Sequence, residues 1–318
     1  MSALREALTQ YITVRRALGT RLAEPANTLQ QFVSFLEQEG SSHITTALAL
    51  RWATATAHPD VQRATWGRRL SMVRKFAAWL SAFDPQTEVP PRRLLPARHR
   101  RARAHIYTEA ETQSLMAAAA QRRSRTGLRA LTYTTLIGLL AATGLRPGEA
   151  LALDRTDVDL HNAILFIRET KFGKSRFVPV TPTTCLALQQ YATRRDTLCP
   201  CPRAPAFLLS ERGRRLVGAT VRRMFVKLSR SIGLRPANRS ARSGRGPRLQ
   251  DFRHTFVTGR LVQWYRAGMD VTRELPKLST YVGHTAVGLT YWYIEAVPEL
   301  LSLATERLSA RRNTGGAR

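Results

Sequence analysis

One segment of this chain, LTYTTLIGLLAATG at residues 131–144, is apolar on almost every side of the helix that its composition predicts. A helix without a polar face is stable only when other elements surround it, so this segment requires a core larger than a pair of helices. Gly144, the last residue of the segment, suits the left-handed conformation that ends many helices. At roughly 150 residues per domain, the 318 residues predict about two domains.

The chain is strongly basic. It carries 50 Lys and Arg against 22 Asp and Glu, a formal net charge of +28, while 43% of its residues are hydrophobic. Such self-repulsion strains a compact fold unless a polyanion neutralises part of it, so nucleic acid is the predicted partner. An anionic membrane fits less well, because no apolar run approaches the roughly 18 residues of a spanning helix and the N-terminus lacks the apolar region of a signal peptide. We therefore expect an intracellular protein without a membrane partner.

The three cysteines, Cys185, Cys199 and Cys201, are too few and too clustered to form a disulfide framework. The CPC triplet offers two ligands where structural zinc takes four. We expect structural or incidental cysteines and no metal site.

The first ninety residues predict a small helical domain. Two segments, TLQQFVSFLEQEG and TWGRRLSMVRKFAAWLSAF, place their apolar residues at helical spacing. In the first segment these residues are Leu29, Phe32, Val33 and Leu36. In the second they are Trp66, Leu70, Val73, Phe76 and Leu80.

The second of these helices also carries cations away from its apolar stripe, namely Arg68, Arg69, Arg74 and Lys75. Such a row can follow a phosphate backbone, or it can be an ordinary solvated face. The helix alone does not decide between these interpretations.

Helical periodicity stops between residues 84 and 106, where DPQTEVPPRRLLPARHRRARAH is rich in proline and arginine. This composition predicts a basic linker over 91–105, whose Arg98, Arg100 and Arg101 are candidates for following a DNA groove. A new helix then begins, with Thr108 as its N-cap and Glu111 as the capping-box partner. A second domain therefore starts near residue 106.

The buried helix is followed by LRPGEALAL. Pro147 suits a first helical turn and Glu149 complements the positive end of that helix, so Arg146 lies in a tight connection between two helices. Two short strands, AILFIRE and SRFVPV, then predict a hairpin with Lys171 and Lys174 at its tip.

Taken singly, the polar groups of this second region have ordinary structural explanations. Arg146 can form a helix-end ion pair with Glu149, Lys171 can be a solvated turn residue, and His284 can be a hydrogen-bonded core histidine. Together, LRPGEAL, the lysine between two strands, DFRHTF, VGH and a tyrosine nine positions after that histidine resemble the catalytic domain of tyrosine recombinases, the phage-integrase family. The resemblance covers residues 106–300, and the helical segment before it occupies the position of the family's core-binding domain.

The resemblance implies a role for each matching residue. Arg146 and Arg253 fall on the two catalytic arginines, Lys171 on the hairpin lysine, His284 on the histidine of the third motif and Tyr293 on the nucleophile. Two guanidiniums can neutralise the non-bridging oxygens of a phosphodiester with donors that never deprotonate. The attacking phenol must lose a proton and the departing 5′-oxygen must gain one, for which a lysine at a hairpin tip is the expected general acid.

Helix geometry alone does not choose the nucleophile. Tyr291 and Tyr293 differ by about 200° around a helix, so at most one of them faces the phosphate. The spacing from His284 in the resembled family selects Tyr293, and we expect Tyr291 and Trp292 to pack.

One position departs from the family pattern. The family commonly has histidine, or sometimes lysine, three residues before the second arginine, where this chain has Gln250. Glutamine donates and accepts hydrogen bonds but takes up no proton near neutral pH, so we expect a working but slower enzyme. Among the neighbours, Glu149 and Asp251 are candidates for holding arginines in place, and His254 is expected to be structural.

The sequence therefore predicts a mainly α protein. An N-terminal helical, SAM-like core-binding domain over 1–90 precedes an α+β catalytic domain with a small β-hairpin over 106–300, and a C-terminal helix and tail follow over 301–318. The apolar face of ELLSLATERLSARR predicts docking on a neighbouring protomer in a DNA-bound homo-tetramer, with self-docking as the alternative. The free chain is expected to be a monomer or weak oligomer.

The function implied is site-specific cleavage and rejoining of double-stranded DNA through a 3′-phosphotyrosine, with no cofactor, in the nucleoid of a bacterial cytoplasm. Two alternatives stay open from the sequence. One is relaxation of supercoils in the manner of a type IB topoisomerase. The other is a catalytically weak DNA-binding accessory protein.

Overall fold

The apolar stripes of the N-terminal segments become the buried faces of a helical unit. The computed structural model describes residues 2–20, 22–55, 63–95, 104–168, 174–236, 246–284, 288 and 302. The chain divides into two compact units, Met1–Ala102 and Arg103–Arg318. The helices described in the first unit are α1 Ala3–Ala17, α2 Ala23–Gln38, α3 Thr46–Thr54 and α4 Arg63–Leu80.

The core of the first unit is built from the stripes that helical periodicity predicts. The predicted residues of α2 are at most 2% exposed, and Leu70, Val73 and Phe76 of α4 are at most 1% exposed. Trp66, from the same stripe, is only partly buried. Tyr11 of α1 packs its ring 5.4 Å from that of Phe76, which joins α1 to α4.

The segment that follows α4 returns to this helical unit. The amide of Glu88 donates to the carbonyl of Ile44 at 2.7 Å, and its carboxylate accepts from the amide of Thr46 at 2.8 Å. Arg74 donates to the carbonyls of Pro90 and Pro91 at 2.7 and 2.8 Å. Residues 88–91 are therefore fixed to the helices although their sequence carries no helical pattern.

The second unit begins with the predicted capping box. Thr108 accepts from the amide of Glu111 at 3.1 Å, and the Glu111 carboxylate accepts from the amide of Thr108 at 2.9 Å. These bonds satisfy two amides at the start of α5, Glu109–Ala120. The apolar segment forms α6, Leu128–Thr143, which packs against α5 and ends at Gly144 with φ of +61°.

The remaining elements of the second unit surround α6 or extend from it. Helices α8 and α10 pack on α6, and α7 follows it directly. The bounds are α7 Pro147–Ala152, β1 Val158–Asp159, β2 Ile164–Ile167, β3 Arg176–Pro179, α8 Pro182–Leu198, α9 Gly218–Ser231, α10 Asp251–Arg266 and α11 Val271–Val282.

The three strands form one antiparallel sheet in the order β1-β2-β3. The predicted hairpin is confirmed, with Leu165 paired to Val178 and Ile167 paired to Arg176. Leu165, Ile167 and Val178 are at most 2% exposed, whereas Phe177 is 68% exposed, so one face of β3 meets the core. By strand alternation Arg176 lies on that core-facing side.

A mainly helical protein with a small sheet is thus confirmed. Among the described residues, no helix is long and apolar enough to cross a membrane. Several predicted features lie outside the described residues: Arg98, Arg100 and Arg101, Lys171, Tyr291, Trp292, Tyr293 and the terminal helix.

Candidate active site

The C-terminal end of α11 forms the centre of the candidate site. Gly283 takes the left-handed conformation with φ of +70°, which ends the helix. Its amide donates to the carbonyl of Thr280 at 3.0 Å, and the amide of His284 donates to the carbonyl of Ser279 at 2.9 Å. This closing motif fixes the backbone of His284 relative to α11.

Three arginines from three different elements donate to three consecutive carbonyls at this helix end. The bonds are Arg176 Nε to the Tyr281 carbonyl at 2.8 Å, Arg253 Nη2 to the Val282 carbonyl at 2.6 Å and Arg146 Nη2 to the Gly283 carbonyl at 3.2 Å. The last carbonyls of a helix have no partner within the helix and carry its negative dipole end, so they attract cations. The geometry therefore gathers guanidiniums next to His284.

Arg146 lies in the connection between α6 and α7, as the sequence predicts. Its backbone amide donates to Glu149 Oε2 at 3.0 Å, and its Nη1 donates to Glu149 Oε1 at 2.7 Å. Its side chain remains 33% exposed. The guanidinium is thus held on one side and open to solvent on the other.

Glu149 serves two arginines at once. Arg176 donates through Nη2 to Oε2 at 2.8 Å and through Nη1 to Oε1 at 3.3 Å, beside the bonds from Arg146. Burial by itself raises the pKa of Glu149, but the hydrogen bonds and positive charges of Arg176 and Arg146 outweigh it, so the net pKa lies below its usual value. Glu149 therefore holds Arg146 in place, as the sequence suggests. Its second partner, Arg176, is not predicted from the sequence.

Arg253, on α10, is 2% exposed and joins the ends of two helices. It donates to the carbonyl of Gly144 at 3.1 Å and to that of Val282 at 2.6 Å. The end of α6 and the end of α11 are consequently fixed to one guanidinium. The other candidate carboxylate, Asp251, accepts from the amide and guanidinium of Arg248, both at 2.8 Å, so it positions Arg248 at the start of α10.

His284 is surrounded by positive charge. Burial lowers its pKa, and Arg253, Arg146, Arg176 and His254 lower it further, to about 4. The imidazole is therefore neutral at physiological pH and able to accept a proton or a hydrogen bond. His254 contributes to this field from α10.

Gln250 is the residue immediately before α10 and lies on the wall of a groove of about 920 Å³. Pro147 and Gly148, at the start of α7, line the same groove. One wall is formed by α9, whose exposed cations are Arg222, Arg223 and Lys227. A basic groove thus extends from the position of Gln250.

Two sets of residues in this region are not among those predicted from the sequence, although each has a signal there. Arg176 could have been found from the strand pattern of RFVP. Residues two apart in a strand share a face, so Arg176 lies on the same face as the buried Val178. The cations of α9 carry the other signal, because Arg223 and Lys227 are four residues apart on a helix whose opposite side is apolar.

The predicted DNA-binding cations of α4 differ in their contacts. Arg68 pairs with Glu24, and Arg69 lies over the ring of Trp52 at 5.4 Å. Arg74 is committed to the carbonyls of residues 90 and 91, whereas Lys75 is exposed. Arg68, Arg69 and Arg74 already contact protein groups, so the exposed Lys75 is the strongest candidate of the four for a phosphate contact.

The described residues contain no group of three or more His, Cys, Asp or Glu side chains placed to hold a metal ion. Cys185 donates to the carbonyl of Leu160 at 3.2 Å, and the three cysteines are free thiols.

Family models match both units of the chain. The model described as the phage integrase family matches residues 106–299, and the model for the phage integrase N-terminal SAM-like domain matches residues 12–82. The first match alone covers more than half of the chain.

Relatives match over nearly the whole length. A protein of Sinorhizobium fredii named integrase/recombinase y4rB is 46% identical over 98% of both chains. Tyrosine recombinase XerC of Mycobacterium bovis is 29% identical over 98% of this chain and all of its own. Neither alternative function is favoured by these matches.

Solved structures share the fold. The Tn1549 transposon integrase in complex with circular intermediate DNA aligns over 95% of this chain and 99% of its own, with a TM-score of 0.64 and 20% identity. A lambda integrase dimer bound to a core site aligns over 91% of this chain and 97% of its own, with a TM-score of 0.61 and 15% identity.

Proposed function

The chain belongs to the phage integrase family of tyrosine recombinases, and we propose that it cleaves and rejoins DNA at the site around the end of α11. The enzyme is a site-specific recombinase. The observation that carries the assignment of the site is the convergence of Arg146, Arg176 and Arg253 on the carbonyls that precede His284. Cations held close together at one helix end form a preorganised binding site for an anionic phosphate.

In this proposal Arg146 and Arg253 bind the scissile phosphate. Bonds to backbone carbonyls fix the plane of each guanidinium, and the side chain of Arg146 is also 33% exposed. The positive charges of the two groups neutralise the non-bridging oxygens as negative charge accumulates in the transition state. His284, whose pKa is lowered by its burial and by these same cations, is neutral and hydrogen-bonds the phosphate or takes the phenol proton.

We assign the nucleophile to Tyr293 and the general acid to Lys171. The Tyr293 oxygen attacks phosphorus and loses its proton to His284 or to water. The bond from phosphorus to the 5′-oxygen breaks as Lys171 supplies a proton to that oxygen. The products are a 3′-phosphotyrosine and a 5′-hydroxyl. Attack by a 5′-hydroxyl from a partner strand reverses the step and completes strand exchange, so the bond energy is retained without a cofactor.

Double-stranded DNA is the proposed substrate. The net charge of +28 and the basic groove along α9 support a path for the phosphate backbone past Gln250. Linker residues Arg98, Arg100 and Arg101 and the exposed Lys75 are proposed as further phosphate contacts. Such contacts position the duplex, and side chains that reach base edges select the sequence.

We further propose a homo-tetramer on DNA and a monomer or weak oligomer in its absence, acting at the nucleoid in a bacterial cytoplasm. The named relatives are bacterial. One structural neighbour is the integrase of a transposon, and mobile-element recombination is the biological role that we propose.

Covalent capture tests the proposed chemistry. The full chain is incubated with sheared genomic DNA from its source organism, denatured in detergent, and the protein-bound DNA is sequenced to recover the cleavage site. A nicked duplex built on that site then traps the adduct, and peptide mapping identifies the modified residue. We expect Tyr293→Phe to abolish the adduct and the matched Tyr291→Phe to retain it. Absence of any adduct on the DNA of the source organism, or an adduct on Tyr291, contradicts the assignment.

The role of Lys171 has its own test. Replacing the 5′-bridging oxygen of the scissile phosphate by sulfur gives a leaving thiolate that needs no proton, because thiols are far more acidic than alcohols. We expect Lys171→Ala to cleave the natural duplex slowly and the sulfur-substituted duplex at the wild-type rate. Lys174→Ala, three residues further along the chain, is the matched control. This variant should cleave both duplexes at the wild-type rate. Equal loss on both substrates for Lys171→Ala excludes the general acid role.

A further inference from the structure

Of the three described arginines that donate to the end of α11, Arg176 is the one to which the resemblance assigns no role. It is 11% exposed and belongs to β3, whereas Arg146 precedes α7 and Arg253 lies in α10. An arginine on the core-facing side of a short strand loses hydration that only well-placed partners replace. Its contacts therefore indicate why this position holds a guanidinium.

All three of its nitrogens are engaged. Nε donates to the carbonyl of Tyr281 at 2.8 Å, and the two Nη atoms donate to the two oxygens of Glu149 at 3.3 and 2.8 Å. One planar group thus joins β3, the first turn of α7 and the last turn of α11. A lysine has a single nitrogen and cannot hold both carboxylate oxygens and the carbonyl in one plane.

The two partners lead directly to the proposed catalytic groups. Glu149 accepts from both the backbone and the guanidinium of Arg146, so any movement of the carboxylate moves Arg146. Tyr281 lies three residues before His284, whose backbone is fixed to the same helix end. Arg176 is consequently connected to a phosphate-binding arginine on one side and to the histidine on the other.

Gly283 gives an independent observation of the same fit. A Cβ at this position would lie 2.7 Å from Nη1 and 2.8 Å from Cζ of Arg176, closer than real Cβ contacts. The guanidinium therefore lies directly against the backbone that links α11 to His284. Tyr281 further fixes this turn by donating its hydroxyl to the carbonyl of Pro179, also in β3, at 3.2 Å.

We propose that Arg176 is a positioning residue of the recombinase, which sets the orientation of Arg146 through Glu149 and the position of His284 through the end of α11. This inference rests on the proposed function of those two residues. Arg176 itself does not contact the substrate. Because β3 begins five residues after Lys171 in the chain, Arg176 also connects the strand that follows the proposed general acid to the proposed phosphate site.

The test compares two substrates built on the site recovered by covalent capture. The first has the natural scissile phosphate, and the second has a methylphosphonate there, in which a neutral methyl group replaces one charged oxygen. A residue that acts through neutralisation of this charge matters on the first substrate and little on the second. Arg146→Ala supplies the reference pattern: a large loss on the phosphate and a rate near that of the wild type on the methylphosphonate.

Arg176→Lys is the primary variant, because it keeps a positive charge beside Glu149. A displacement of about 1 Å at a reacting group costs on the order of 100-fold, so we expect up to that loss of single-turnover rate on the phosphate. We expect near parity with the wild type on the methylphosphonate and unchanged affinity for the duplex. Arg195→Lys is the matched control, since Arg195 is also a buried arginine bound to a carboxylate and a carbonyl, those of Asp196 and Phe207.

A general loss of structure lowers the rate on both substrates equally, a pattern that mild heating of the wild type reproduces. The same pattern for Arg176→Lys overturns the role of Arg176 in orienting Arg146, while the proposed function stands. If Arg176→Lys unfolds, the double variant Arg176→Gln with Glu149→Gln removes both buried charges together and carries the same expectation. Absence of a Tyr293 adduct in the wild type instead removes the proposed function and this inference with it.

Discussion

The guanidinium of Arg176 forms a bidentate ion pair with the carboxylate of Glu149, at nitrogen–oxygen distances of 2.8 and 3.3 Å, and both side chains are almost entirely buried. Neither residue needs to touch DNA for this pair to affect catalysis. The carboxylate that it fixes is the same one that holds Arg146. Under the proposed function, stability and activity are therefore coupled at this point of the fold.

Glu149→Gln is expected to lower the free energy of unfolding at pH 7 by about 3 kcal/mol, because the buried guanidinium of Arg176 and the partly exposed one of Arg146 lose their anion. The folded-state pKa of Glu149 lies below the reference value of 4.5, so its stabilisation is present above that pH and is lost as the pH falls through the folded-state pKa. Urea unfolding of both proteins between pH 7 and 3 measures the difference. The exposed Glu109→Gln serves as control, and a difference for Glu149→Gln that stays constant down to pH 3 contradicts the prediction.

His284 is expected to titrate near pH 4 in the free protein and at higher pH when the scissile duplex is bound. In the free protein, burial and the charges of Arg253 and Arg146 lower the pKa of His284. A bound phosphate offsets those two charges, so the pKa rises. Imidazole NMR signals, assigned with His284→Gln, measure both values. A pKa that stays the same on addition of the duplex places the phosphate elsewhere.

The same group affects stability in acid. Between its unfolded pKa of 6.5 and its folded pKa of about 4, the unfolded chain binds a proton at His284 that the folded chain does not. Its contribution therefore reduces stability as the pH falls from about 6.5 to about 4, and His284→Gln should lessen that fall. Denaturation at pH 7 and pH 4.5 compares the two proteins, and an identical fall in both contradicts the assignment.

Gly283→Ala is expected to destabilise the protein more than Gly268→Ala. Both glycines follow a helix with positive φ, of +70° and +67°, which costs an alanine roughly 1–2 kcal/mol. A Cβ at Gly268 meets nothing within 4 Å, whereas at Gly283 it meets the guanidinium of Arg176. Thermal unfolding measures how much more Gly283→Ala lowers the stability than Gly268→Ala does. Equal destabilisation in the two variants shows that Arg176 moves away from the new Cβ without a loss of stability.

Gln250→His is expected to accelerate formation of the covalent adduct, by up to about 100-fold, since it supplies the base that glutamine cannot provide. Single-turnover rates on the nicked duplex across pH 5.5 to 8.5 measure the effect, with Gln250→Asn as a control that introduces no base. A folded Gln250→His protein that is slower than the wild type shows that this position does more than lack a base.

Arg74 and Lys75 are adjacent, and we expect them to differ in function. Arg74→Gln should lower the melting temperature, because it releases the carbonyls of residues 90 and 91. Lys75→Gln should leave stability unchanged and reduce the slope of log affinity against log salt by about 1. The reverse outcome assigns the phosphate contact to Arg74.

Local physics accounts for what the sequence predicts well. The capping box of Thr108 and Glu111 involves residues three apart, and the burial of α6 follows from its apolar composition alone. The two hairpin strands follow from their β-branched and aromatic residues flanked by turn residues.

The contacts of Arg176 could not be predicted from local sequence patterns. In a chain with 50 Lys and Arg, the ordinary expectation for any arginine is a solvated position. Its partners, Glu149 and the carbonyl of Tyr281, lie 27 and 105 residues away, so only tertiary packing brings the three together. Asp251, which is expected to hold an arginine in place, binds Arg248 three residues earlier, and the sequence does not say which arginine it would bind.

The anchored end of α11 limits how far a phenol attached beyond it can travel. Nine residues separate His284 from Tyr293, and a fully extended chain of that length spans about 30 Å at most. If Tyr293 is the nucleophile, as proposed, the phosphate that it attacks lies within that distance, plus the length of one tyrosine side chain, of the backbone turn to which three arginines donate. In a complex of several protomers, each proposed cleavage point then lies within the same reach of one copy of this turn.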